Sequence, residues 1–217
     1  MANSHYQLGD GPIHVNALHG WFGDHRAFAP IWPHLDQGRF SYAFMDCRGY
    51  GGSKSRRGEY SMDEIARDAL ELADALGWQQ FGLLGQSMGG KAIQRVLVEA
   101  PDRVQKLVAL NPVSASGVPF DGQGWALFSG AVDDPDNRRA IIDLSTGNKL
   151  THVWLAQMVA TSLSVSTREA FAAYLEAWAH GDFHEQVAGN PVPVQVIVGA
   201  HDPALTADVM HSTSLQW

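Results

Sequence analysis

Ser87 stands between two glycines in Gly85-Gln86-Ser87-Met88-Gly89, after the apolar run 81–84 and before the helix-like run 91–99. A Gly-x-Ser-x-Gly between a strand and a helix predicts a sharp turn that lifts a serine hydroxyl out of a sheet. The glycines are needed because a Cβ there would collide with the neighbouring strand or helix. Such a serine suits covalent catalysis on a carbonyl carbon. The helix that starts behind it offers free N–H groups to a developing oxyanion. The bland alternative is a glycine-rich turn without chemistry; the position between strand and helix favours the nucleophile.

The elements that must hold this serine are legible as alternating patterns. Short apolar runs with strand character lie at 13–18, 40–45, 81–84, 107–110 and 194–198. Between them, Ser61 and Glu64 form a capping-box pattern ahead of a helix over 65–76, with Gly77 as its terminator. A second helix over 88–100 is stopped by Pro101. This alternation predicts an α/β fold, a mostly parallel sheet with helices on both faces. Ligands of such sheets bind beyond the carboxyl ends of the strands. His19, Gly20, Asp46, Ser87, Asn111 and Asp202 all fall at those ends.

From 114 to 190 the alternation stops. The stretch has no clear strand, reads as helical, and carries Trp125, Phe128, Trp154, Phe171, Tyr174, Trp178 and Phe183. It is expected to be a helical cap, 114–190, inserted into a core made of 1–113 and 191–217. Most of its aromatics should pack the cap itself, and a few should line a substrate pocket.

The chain has 217 residues, enough for one domain with a sizeable core. Its net charge of −8 disfavours nucleic acid and anionic membrane as partners. The first residues lack the basic and apolar regions of a signal peptide, and no apolar run approaches the ~20 residues of a membrane span. Cys47, the single cysteine, cannot form an internal disulfide and is expected to be a buried structural thiol. A cytoplasmic protein is therefore expected. The histidines are scattered without ligand spacing, so neither a metal nor another cofactor is predicted. The glycines at 49, 51 and 52 lack the lysine and the following helix of a phosphate-binding loop.

Three motifs, in order, resemble the α/β-hydrolase superfamily in its small-cap branch of esterases, enol-lactonases, C–C bond hydrolases and haloperoxidase-like enzymes. They are His19-Gly20-Trp21-Phe22-Gly23, Asp46-Cys47-Arg48-Gly49-Tyr50-Gly51-Gly52-Ser53, and the elbow Gly85-Gln86-Ser87-Met88-Gly89-Gly90. Gly199-Ala200-His201-Asp202-Pro203 is similar to the loop that carries the acid. The resemblance implies Ser87 as nucleophile and Asp202 as the acid that orients a histidine. It implies an oxyanion hole from the N–H groups of Trp21 and Met88. His19, Gly20 and Gln86 are expected on the substrate side. His19 should brace the oxyanion loop, and Asp46 and Arg48 should hold their loop by hydrogen bonds and charge pairing. Asn111 stands where some relatives place the acid, but an amide cannot replace a carboxylate.

The family order is serine, acid, histidine, with one more strand before the histidine. Only 15 residues follow Asp202, and they show no such strand. The histidine is therefore expected beyond Trp217, and the sequence is read as incomplete. His211, His201, His25, His152, His180 and His184 are the alternatives within it. The implied reaction is hydrolysis of a small-molecule carboxylic ester or lactone. C–C bond hydrolysis, haloperoxidase-like perhydrolysis, and a non-catalytic binding role stay open, as does the oligomeric state.

Overall fold

The computed structural model describes residues 2–216. Six strands form one sheet: β1 (His5–Leu8), β2 (Ile13–Leu18), β3 (Phe40–Met45), β4 (Phe81–Gln86), β5 (Val104–Leu110) and β6 (Val194–Ile197), in the spatial order β1-β3-β2-β4-β5-β6. All neighbours run parallel except β1, which pairs antiparallel with β3. The segment before β2 is thus an edge strand on β3.

Period-two alternation sends the strand side chains to two cores. Leu18, Ala43, Met45, Leu83, Leu107 and Ala109 join the larger core, which also takes in the apolar sides of α1 (Met62–Ala75) and α2 (Met88–Glu99). Ala17, Tyr42, Phe44 and Leu84 turn to the other face, where the 3-10 segment His25–His34 covers them with Phe28 and Trp32. Ser61 caps α1 by accepting from the Glu64 N–H at 3.1 Å, and Glu64 reaches back to the Tyr60 N–H at 2.9 Å. Gly77 follows α1 at φ 73°, the left-handed position that glycine fills without strain.

Five helices stand between β5 and β6: α3 (Gly122–Gly130), α4 (Pro135–Ser145), α5 (His152–Val165), α6 (Arg168–His180) and α7 (His184–Val187). Among the described residues this interval contains no strand beyond an isolated bridge of Ser166 with Tyr50. The chain closes with α8 (Ala207–Ser212). No helix among the described residues is long and apolar enough to cross a membrane.

Candidate active site

The strand registers bring the candidate residues to one edge of the sheet. Leu18 pairs with Met45 on one side and Gly85 on the other, Gln86 pairs with Leu110, and Leu110 with Ile197. The loops that leave those positions carry His19–Trp21, Asp46, Ser87, Asn111 and Asp202.

Ser87 lies at φ 55°, ψ −114°, a conformation that L-residues avoid. Its backbone is held from three sides: its N–H donates to Leu110 O at 2.9 Å, and its carbonyl accepts from Val113 at 3.1 Å and Lys91 at 3.2 Å. The flanking glycines are steric necessities. A Cβ on Gly85 would stand 2.4 Å from Gly89 O, and one on Gly89 would stand 2.1 Å from Leu18 O. The first turn of α2 thereby lies directly on the end of β2. The Ser87 side chain makes no capping bond to α2, and Met88 is the first helical residue, where N–H groups lack intrahelical partners.

His19 is fully buried. Its Nε2 accepts from the Cys47 N–H at 3.1 Å, so Nδ1 carries the proton and donates to Gly20 O at 2.8 Å. Burial holds its pKa below the ordinary 6.5, against the pull of the Gly20 hydrogen bond and of Asp46. Both ring nitrogens of the His19 side chain are thus spent on backbone. Because the Gly20–Trp21 peptide is trans, fixing the Gly20 carbonyl also fixes the opposite direction of the Trp21 N–H. Trp21 is further held by Tyr50 Oη, which donates to its carbonyl at 2.9 Å, and by its own Nε1, which donates to Phe171 O at 2.7 Å. Gly20 is buried against the half-buried Gln86; a Cβ there would meet Gln86 Oε1 at 2.2 Å.

Asp46 accepts from the His25 N–H at 2.9 Å, from His25 Nδ1 at 2.8 Å and from the Gly52 N–H at 2.8 Å. Burial works to raise its pKa, but these hydrogen bonds outweigh it and the carboxyl sits below its ordinary value. Arg48 pairs with Asp68 at 2.8 Å and Glu64 at 3.2 Å rather than with Asp46. Asp24, His25 and Asp46 bring three possible metal-ligand atoms within 4.8 Å, a grouping that sequence spacing did not suggest. Each is engaged within the protein, Asp24 by the Arg26 guanidinium at 2.6 Å and Asp46 by His25. Cys47 is buried, and burial pushes its thiol far above its ordinary value, as suits a structural residue.

Asp202 takes three hydrogen bonds: from Asn111 Nδ2 at 2.9 Å on one oxygen, and from the Ala204 and Leu205 N–H groups at 2.9 and 3.0 Å on the other. The histidines considered from sequence have other neighbours. His25 binds Asp46, His152 meets Arg139, His180 meets Glu176, and His184 meets Asp182. His201 and His211 are exposed. Sequence reading missed Lys91, whose flanking Gly90 and Ala92 mark only a helix. It is fully buried one turn beyond Ser87, and its Nζ donates to Trp178 O at 3.0 Å and to Gly181 O. These carbonyls close α6, where a helix end favours a cation. Burial nevertheless lowers the Lys91 pKa to about 8.

A family model described as alpha/beta hydrolase fold matches residues 14–213. The chain is an alpha/beta hydrolase. This hydrolase is 27% identical over 191 residues to the 3-oxoadipate enol-lactonase 2 of Acinetobacter baylyi, covering 82% of this chain and 70% of the relative. It is 28% identical over 205 residues to a pimeloyl-[acyl-carrier protein] methyl ester esterase of Klebsiella pneumoniae, covering 90% and 77%. An esterase from Exiguobacterium antarcticum shares the hydrolase fold at a TM-score of 0.84 and 21% identity, over 96% of this chain and 82% of that one. Its relatives thus include lactone and ester hydrolases.

Proposed function

We propose that this protein hydrolyses a small carboxylic ester or lactone through an acyl-enzyme on Ser87. The observation that carries the reading is the strained Ser87 elbow, clamped between β4 and α2 by glycines that admit no side chain. The relatives named for enol-lactone and methyl ester cleavage support acyl transfer as the reaction class.

In this reading Ser87 Oγ attacks the carbonyl carbon, and the charge that forms on the carbonyl oxygen meets the N–H groups of Met88 and Trp21. Two preset donors act only as that charge develops, and losing one costs about 10²–10³ in rate. His19 is a positioning residue, since its Nδ1–H sets the Gly20–Trp21 peptide. Asp202, fixed by Asn111, is the acid that would orient a histidine base. The three hydrogen bonds of Asp202 come from the Asn111 amide and the N–H groups of Ala204 and Leu205, not from a histidine. Without such a base a serine hydrolase loses on the order of 10⁶ in turnover. Residues 114–190 act as the cap that selects the substrate, with Gly20 and Gln86 on the substrate side, in a cytoplasmic protein.

The test is labelling by a fluorophosphonate probe, with Ser87→Ala as control, beside hydrolysis of 4-nitrophenyl butyrate. Label on Ser87 and ester turnover support the reading. Selective turnover of a dienol-ketone would replace it with C–C bond hydrolysis. Absence of any label would leave a binding protein.

A further inference from the structure

The outer face of α5 lacks what a helix exposed to water normally carries. From 153 to 165 it has no charged residue, whereas surface helices set charges on their outer side. Val153 is 80% exposed and Leu163 44%, and Ala156 and Ala160 between them are exposed as well. At about 3.6 residues per turn these four share one stripe, while the buried Leu155, Ser162 and Val165 turn the other way. Among the described residues, ten large hydrophobic side chains stand exposed, and Leu144, Leu150, Val153 and Leu163 are four of them. The exposure therefore gathers on the α4–α5 hairpin instead of scattering, which marks an interaction surface.

The stripe reads the same from either end. Its midpoint is position 158, so an antiparallel second copy sets Val153 against Leu163 and Ala156 against Ala160. The two alanines let the helix axes approach, and the larger side chains close both ends. The flanking charges obey the same symmetry. Arg138 donates to Ala131 O, ahead of α4, at 2.7 Å and to Ser162 Oγ at 3.1 Å, so the start of α4 lies beside the end of α5. Asp136 stands at that end, in the groove that Ala160 and Leu163 also line. Arg139 extends the opposite way, to His152 Nδ1 at 2.6 Å, at the start of α5. A two-fold partner thus brings its Asp136 towards Arg139 and its Arg139 towards Asp136.

We infer that α5 is a dimer interface: two copies of this chain pair antiparallel through the Val153–Leu163 stripe, about a two-fold axis at position 158. An uncharged centre with opposite charges on its rim is the usual anatomy of such a contact. One helix pair with its flanks is a small interface, so affinity in the micromolar range is expected.

Sedimentation velocity of the purified protein from about 1 to 100 μM tests the pairing. The wild type should pass from its monomer mass of 23.6 kDa towards twice that mass across the range. Ala160→Glu is exposed in one protomer and should fold normally by circular dichroism. It sets a carboxylate against the partner's Ala156 and should weaken the dimer at least about tenfold. A wild type that stays monomeric throughout overturns the inference and leaves the face to a different partner. A dimer that Ala160→Glu does not weaken overturns it too, because another face then pairs. Cross-linking reads the register. Val153→Cys and Leu163→Cys chains, mixed and mildly oxidised, should form a disulfide with each other. Val153→Cys alone should not, since the two positions lie roughly 15 Å apart along the helix pair. Cross-linking of Val153→Cys to itself, or of no pair in a sample that still sediments as a dimer, overturns the two-fold pairing.

Discussion

The Asn111 amide joins the ends of β5 and β6: Nδ2 donates to Asp202 at 2.9 Å, while Oδ1 accepts from the Gly199 N–H at 3.1 Å. Asn111 does this at φ 41°, a left-handed conformation that asparagine tolerates better than most residues. Asn111→Ala should cost about 1–3 kcal/mol from the lost hydrogen bonds and the strain, equally at pH 4.5 and 7.5. Asn111→Asp behaves differently. Two carboxyls at this distance raise the pKa of one of them, so the folded state holds a proton that the unfolded chain gives up. Stability is then present at low pH and is lost as pH rises through the raised pKa. Thermal melts of both variants at the two pH values check this.

Glycine substitutions should separate steric need from conformational need. Gly89→Ala sets a methyl group 2.1 Å from Leu18 O, on backbone that cannot step aside. It should destabilise by more than about 3 kcal/mol or abolish folding. Gly77→Ala meets nothing within 4 Å, and only its φ of 73° is strained. It should cost about 1 kcal/mol. Urea melts with matched slopes read both.

His19 and His25 should pull stability in opposite directions with pH. His25 gains its partner Asp46, which raises its pKa above 6.5 despite partial burial. Its contribution is full below 6.5 and is lost as pH climbs through the raised value. Burial lowers His19, so its contribution is present above 6.5 and is lost as pH falls through the lowered value. His25→Gln should therefore destabilise more at pH 5.5 than at 8.5. Melting temperatures at the two values, differing by about 2–4 °C per kcal/mol, give the sign.

His19 also offers a test of the proposed oxyanion peptide. His19→Ala frees the Gly20 carbonyl and should slow phosphonate labelling of Ser87 by about 10²-fold, as for loss of one oxyanion donor. His19→Asn keeps a donor near the Nδ1 position and should recover part of the rate. Equal labelling rates in all three proteins would show that Trp21 is held by Tyr50 and Phe171 alone.

Local chemistry made much of this molecule legible from its residues. Short apolar runs announced β2 and β3 to the residue, because parallel strands covered on both faces are near-continuous apolar segments. The glycines around Ser87 announced the elbow, because steric exclusion there is a property of neighbours in sequence. Contacts between distant segments were not legible. The spacing of 91 residues between Asn111 and Asp202 says nothing of their hydrogen bond until β6 pairs with β5. Arg48 chose Asp68 and Glu64 over Asp46 because α1 brings both acids to it, while His25 and two backbone amides had filled Asp46. Lys91 reads only as part of a helix until the end of α6 closes over it, and Trp178 reads as cap packing until its indole proves to lack an acceptor. Local pattern determined the elements and the sharp turn at Ser87; only long-range packing decided which polar atoms found partners and which did not.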